Sequence, residues 1–141
     1  MSQIEQAILR SVYSLFRAVD DKQWAASEAL LAPELLVDYG TAEHTSNAAV
    51  VTLWRTLLSP LDATQHLLGS VQSEVSADGE AHVTAEFVAT HLKRGATGGD
   101  LFTLGGHYDI TLREQGGAWR ITKLKMSPRW SSGNPELVLP Q

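Results

Sequence analysis

The sequence predicts an α+β fold in which helices come first and a curved, mainly antiparallel sheet follows. Three observations predict it. The N-terminal part carries apolar residues at spacings of three and four, the mark of helices with one buried stripe. The remainder alternates apolar and polar residues in four runs, the mark of half-buried strands. The connectors between those runs are short and rich in residues that tolerate positive φ, which joins neighbouring strands as antiparallel hairpins. Such helices bury their stripes against the apolar face of the sheet, and a sheet curved over them encloses a pocket.

The elements follow in order. Ile4, Ala7, Ile8, Val12, Leu15, Phe16 and Val19 place a helix over residues 4–19. The pair Asp20 and Asp21 interrupts the stripe, and a second helical pattern over 24–31 is ended by Pro33, since the residue before a proline is biased out of the helical region. Two helices therefore meet near Asp20. Residues 35–39, ending at Tyr39 before Gly40, read as a short strand. A third helix over 48–58 follows the capping candidates Thr45, Ser46 and Asn47 and closes at Pro60. Strands are expected over 64–76, 81–94, 101–114 and 118–127, joined by 77–80, 95–100 and 115–117. The tail after Trp130 is expected to lie over a surface or the mouth of the pocket.

At 141 residues and 15.3 kDa the chain has the size of one compact domain, expected to span 1–141. Its 43% hydrophobic and 19% charged residues, with 11 Gly and 5 Pro, exclude a disordered or low-complexity chain. Eleven Lys and Arg against sixteen Asp and Glu give a formal charge of −5, which repels a phosphate backbone, and no basic patch offsets it. Nucleic acid is not an expected partner. The absence of cysteine excludes disulfides, thiolate metal sites and a cysteine nucleophile. Glu5, Gln6, Arg10 and Arg17 break the apolar residues of the N-terminal stretch, so neither a signal-peptide core nor a membrane span is expected there. The expectation is a soluble, cytoplasmic protein.

Strand parity sorts the five histidines, because side chains alternate between faces with period two. Over 81–94, Val83, Ala85, Phe87, Ala89 and His91 share one face, and His82, Thr84, Glu86 and Thr90 share the other. His91 is therefore either a core histidine bonded to backbone or part of a cavity wall, for which the small Ala85 and Ala89 leave volume. His82 is a solvated residue. Over 101–113, Phe102, Leu104, Gly106, Tyr108, Ile110 and Leu112 point inward, while His107 points outward with Asp109, Thr111 and Arg113. His66 falls on the wrong parity relative to Leu67, Gly69, Val71 and Val75, and a bulge at Gly69-Ser70 would bring it inward. His44 lies in a polar loop. Asp20 and Asp21 are either solvated helix-end residues or, for one of them, the partner of a histidine, which would make a general base near neutral pH. Histidines on separate strands without a His-x-His or His-x-x-x-His pair are a weak metal signal, and no phosphate loop, dinucleotide fingerprint or Gly-x-Ser-x-Gly elbow occurs. Neither metal nor cofactor is expected.

Blocks of the sequence resemble the SnoaL-like group of the nuclear transport factor 2 superfamily and, within it, the scytalone dehydratases. Val19-Asp20-Asp21-Lys22-Gln23-Trp24 is similar to a Tyr-Asp-x-Lys-Asp-Trp block, residues 32–39 to an Ala-Pro to Ile-Asp-Tyr block, and Thr64-Gln65-His66 to a Thr-Gln-His block. Residues 123–130, with Pro128-Arg129-Trp130, resemble the dehydratase C-terminal stretch. Gly105-Gly106-His107-Tyr108-Asp109 and Trp119-Arg120-Ile121 are shared more widely, including by the lindane dehydrochlorinases. The resemblance implies a cystatin-like cone with its pocket inside. It places Asp20 on the catalytic aspartate, Tyr39 on a carbonyl-polarising tyrosine, and His66 and His91 on two active-site histidines. Val19 replaces a second polarising tyrosine, and Gly106 and Tyr108 stand near small polar pocket residues, so a substrate other than scytalone is implied.

The expected function is a cofactor-independent lyase, dehydratase-like, acting on a small cyclic or hydroxylated carbonyl compound, with dehydrohalogenase or epoxide hydrolase as lesser possibilities. On that reading Asp20 orients and charge-balances His91, which removes the proton alpha to the carbonyl. His66 assists as acid and Tyr39 hydrogen-bonds the developing enolate. Trp54, Phe87, Phe102 and Tyr108 supply walls that exclude water from one metal-free cavity. The alternative is a non-catalytic module that binds a small molecule or serves assembly on the same fold. A homodimer or homotrimer is expected, formed through the face that carries His82, Thr84, Glu86, His107 and Thr111.

Overall fold

The computed structural model describes residues 2–139. The elements are α1 (Gln3–Asp20), α2 (Trp24–Ala29), β1 (Leu31–Asp38), β2 (Ala42–Ser46), α3 (Asn47–Leu58), β3 (Ala63–Val75), β4 (Ala81–Leu92), β5 (Leu101–Gln115), β6 (Ala118–Gly133) and a closing 3-10 turn (Pro135–Val138). The six strands form one open sheet in the order β2-β1-β6-β5-β4-β3. Every neighbouring pair is antiparallel except β1 and β6, which run parallel. This is the helix-on-sheet α+β architecture read from the sequence.

α1 starts where the Ser2 hydroxyl accepts the Glu5 amide at 3.1 Å, satisfying one of the orphan donors of its first turn. Its stripe of Ile8, Val12, Leu15, Phe16 and Val19 is buried, and the helix packs on β3 and β6. Leu31, Ala81, Val83, Ile110, Leu112 and Ile121, each at most 1% exposed, fill one end of the concave face. Toward the other end the small Ala89 is part of a cavity wall.

Four boundaries differ from the sequence reading. The second helix ends at Ala29, and β1 begins at Leu31 where helix was expected. Pro33 lies inside that strand, at the slip in the parallel ladder between Leu31–Ile121 and Leu36–Lys123, where its missing N–H deprives β6 of no partner. Tyr39 falls just beyond β1. The segment read as a polar loop around His44 is the edge strand β2, paired antiparallel with β1; all but Thr45 of its residues are exposed, which erased the alternation. β6 runs on to Gly133, and the chain beyond it folds back so that Leu137 is buried and Val138 meets the cavity.

Within β3 the register slips between Gly69–Glu86 and Gln72–Thr84, with Ser70 at φ 47°. One extra residue reverses the side-chain faces. Before the bulge Thr64, His66 and Leu68 point inward, and after it Val71 and Ser73 do, while Leu67 and Val75 are left exposed.

Candidate active site

Asp20 is the last residue of α1. Lys22 adopts φ 56° just after it, and the amides of Asp21, Lys22 and Gln23 return to the carbonyls of Arg17, Val19 and Ala18, which ends the helix in a tight left-handed turn. The Lys22 ammonium donates to the carbonyls of Ser59 (3.1 Å) and Leu61 (2.6 Å), tying the end of α1 to the connection between α3 and β3. The Asp20 carboxylate is thereby held against β3. It accepts from the His66 amide (2.9 Å), the Thr64 hydroxyl (3.1 Å) and His66 Nδ1 (2.7 Å). An ionised carboxylate only accepts, so Nδ1 carries the proton and Nε2 is the nitrogen open to a ligand. Asp21 points to solvent.

This corrects the expected partnership. Asp20 orients His66, and His91 is held by a different group: its Nδ1 donates to the Phe102 carbonyl at 3.0 Å, again leaving Nε2 with a lone pair. Burial holds the His91 imidazole below its ordinary pKa, and the bond to the Phe102 carbonyl and the nearby Asp20 carboxylate oppose this. The two rings stand edge to face with centroids 6.3 Å apart. His91 is therefore both backbone-bonded and a wall residue, and the two alternatives posed by parity hold together.

Seven of the eight residues singled out in the sequence, Tyr39, Trp54, His66, Phe87, His91, Phe102 and Tyr108, line one cavity of about 280 Å³. Asp20 does not line it but stands behind His66, on a separate groove at the outer surface of α1 and β3. The Tyr39 hydroxyl accepts from Trp54 Nε1 at 2.8 Å, which leaves its own proton free to donate; burial pushes its pKa up to about 12, against that hydrogen bond. Phe16 bridges the two halves of the site, with ring centroids 5.4 Å from His66 and 5.0 Å from Tyr108. Gly106 has no room for a side chain, since a Cβ there would lie 2.4 Å from the Ser127 carbonyl and 2.9 Å from Phe87. Its bareness lets the Phe87 ring sit 4.2 Å from that of Tyr108.

The remaining walls are Leu15, Phe16, Val19, Leu53, Leu57, Leu58, Ala89, Leu104, Leu124, Met126 and Val138. Among the described residues no Lys, Arg, Asp or Glu side chain lines the cavity. Sequence reasoning left Thr64 and Lys22 without a role, although both lie in the blocks that carried the resemblance; their work is done through contacts 44 and 39 residues away. His82, His107 and His44 lie outside the site, His107 between Glu86 and Asp109 on the outer face of the sheet. Among the described residues no group of three or more His, Asp or Glu side chains is placed to hold a metal ion, and no helix is long and apolar enough to cross a membrane.

Comparison with known proteins places this geometry in context. A family model described as a SnoaL-like domain matches residues 2–125. No curated protein matches the chain in sequence. Among solved structures, the Kfla4162 protein from Kribbella flavida superposes with a TM-score of 0.86 at 17% identity, over 95% of each chain. A candidate scytalone dehydratase from Novosphingobium aromaticivorans gives 0.82 at 17% identity, covering 92% of this chain and 87% of that one. A hexachlorocyclohexane dehydrochlorinase, type 3, from Novosphingobium barchaimii gives 0.78 at 10% identity, covering 93% and 90%. At these identities the likeness is one of fold, and the fold is the nuclear transport factor 2-like cone with an open sheet.

Proposed function

The chain belongs to the SnoaL-like domain family, and on that premise we propose that it is a cofactor-independent lyase that removes water, or a leaving group such as halide, from a small uncharged cyclic or hydroxylated carbonyl compound. The observation that carries the reading is the Asp20–His66 contact at 2.7 Å behind an apolar cavity that also holds His91. A cavity of about 280 Å³ sits at the small end of ligand pockets and suits one or two rings. The lack of charged lining side chains favours a neutral ligand, because an unpaired ion loses its hydration there.

His66 Nε2 removes the proton alpha to the carbonyl, and the electron pair moves into the enolate. Asp20 balances the imidazolium that forms, and Tyr39 donates a hydrogen bond to the enolate oxygen. Return of the electron pair forms the carbon–carbon double bond and expels the group on the beta carbon. A hydroxyl takes back the proton from His66 and leaves as water; a halide leaves as the anion, and His66 loses its proton to solvent. His91 lacks a carboxylate, so its role is to accept a hydrogen bond from the leaving hydroxyl through Nε2 and fix its orientation. Proton transfer of this kind supplies about 10²–10⁴-fold, and the donors fixed in a dry cavity supply much of the rest.

The test is a thermal-shift screen of neutral β-hydroxy ring ketones, followed by absorbance of the conjugated enone formed from each hit. Turnover by the wild-type protein that is lost in His66→Ala is the expected result. Binding without turnover would instead favour the ligand-binding module. We further propose that the chain self-associates through the outer face of the sheet, where Leu67, Val88 and Trp130 fall in one row across β3, β4, β5 and β6, the Trp130 ring lying over Gly105. Sedimentation showing only monomer at micromolar concentration would contradict this.

A further inference from the structure

Tyr108 stands out among the polar groups of the cavity. Its side chain is held by packing: the residue is 5% exposed, and its ring lies 4.2 Å from that of Phe87 and 5.0 Å from that of Phe16. Yet its hydroxyl has no hydrogen-bond partner among the described residues. The hydroxyl is not one of the enclosed, unpartnered atoms, so it opens into the cavity that the residue lines. Every other polar side chain there has a protein partner: Tyr39 and Trp54 bond each other, His66 bonds Asp20, and His91 bonds Phe102. A hydroxyl left unpaired in an apolar site is unfavourable, and a ligand acceptor would relieve that.

We propose that the Tyr108 hydroxyl is a ligand-binding hydrogen-bond donor that, with Tyr39, holds the carbonyl oxygen of the ligand and so selects ring compounds bearing a neutral acceptor oxygen. Three observations support it. Tyr39 has its oxygen engaged by Trp54, so its proton is free for the same acceptor. Tyr108 and His66 pack against the same Phe16 ring, with centroids 5.0 and 5.4 Å from it, and both line the cavity that Tyr39 also lines, which puts Tyr108 at the reacting end. Burial raises the Tyr108 pKa, so the phenol remains a proton donor across the working pH range and does not become an anion that would repel the oxygen. A phenol pinned by two aromatic rings loses little side-chain freedom on binding, which is the advantage of a donor fixed before the ligand arrives. This inference rests on the reading of the cavity as a carbonyl site.

The experiment uses two probes of one shape, acetophenone and α-methylstyrene, in which a carbonyl oxygen is replaced by a methylene. Binding is measured for the wild-type protein and Tyr108→Phe, and the infrared carbonyl band of bound acetophenone is recorded for each. Tyr108→Phe is expected to weaken acetophenone about 3- to 10-fold, to leave α-methylstyrene within about twofold, and to move the carbonyl band back to higher frequency, as loss of one neutral hydrogen bond requires. Retained α-methylstyrene binding also reports that the variant cavity is folded. Equal weakening of both probes, or a carbonyl band that does not move, overturns the assignment. If acetophenone binds and exchanges its methyl protons with deuterated water but its band ignores Tyr108, the assignment alone fails. If neither probe binds the wild-type protein, the assignment and the proposed function fall together.

Discussion

The sheet carries a histidine–carboxylate pair on each of its faces, and the two differ in what surrounds them. Inside, His66 meets Asp20 at 2.7 Å, with side-chain exposures of 11% and 18%, and the carboxylate also accepts from the His66 amide and the Thr64 hydroxyl. Outside, His107 meets Glu86 at 3.1 Å, with exposures of 25% and 42%, and shares its other nitrogen with Asp109 while Arg129 draws on Glu86. The inner imidazole has one carboxylate and a cavity; the outer one has two carboxylates and solvent. Water and salt weaken the outer attraction, and rival partners leave no nitrogen for a ligand. Residue types alone therefore do not make a site. A single partner, a held geometry and an apolar wall on the remaining side do.

The sharpest way to break this contrast is by activity. With a ketone that the protein turns over, His66→Ala is expected to lower kcat by about 10²–10⁴-fold, while His107→Ala stays within about threefold. Comparable losses in both would erase the distinction between the faces. Next in size is Lys22→Met, which removes two charge-assisted hydrogen bonds to the carbonyls of Ser59 and Leu61. A loss of about 1.5–3 kcal/mol is expected in urea unfolding, together with a fall in kcat as the end of α1 moves from β3. Unchanged stability would mean that Asp20 is held by its own bonds alone.

A smaller effect is carried by pH. The folded pKa of His91 lies below the ordinary 6.5, so between the folded value and 6.5 the unfolded chain binds more protons. His91 therefore favours the fold fully above 6.5, and that contribution declines as pH falls from there through the folded pKa. Urea midpoints at pH 7.5 and 5 should show a steeper loss in the wild-type protein than in His91→Gln. Equal slopes would place His91 in contact with water. The smallest effect is expected from Glu86→Gln on the outer face, a change in stability within about 1 kcal/mol that shrinks further in high salt.

The sequence carried more of the fold than of the site's wiring. α1 and the strand faces of β4 and β5 were legible because each buries a regular stripe, and Tyr108 could be turned inward and His107 outward by counting alone. The bulge at Gly69-Ser70 left a mark in composition, a small residue where parity failed, but only register with β4 fixes it. β2 was illegible because an exposed edge strand needs no apolar alternation. The choice of His66 over His91 as the partner of Asp20 depends on a contact across 46 residues, set by where α1 ends on β3. No local pattern encodes that distance. Val138 reaches the cavity for the same reason, through a fold-back beyond β6 that leaves no local trace.

The most direct measurement compares the two faces in one reaction: exchange of the alpha proton of a bound ring ketone in deuterated water by the wild-type protein, Asp20→Asn and Glu86→Gln. Both substitutions keep the side-chain shape and remove one negative charge beside a histidine. Wild-type exchange is expected well above the buffer rate, with a loss of about 10²–10⁴-fold in Asp20→Asn and exchange within about twofold of wild type in Glu86→Gln. Full exchange in Asp20→Asn, or a wild-type rate no faster than buffer with the ketone bound, would contradict this.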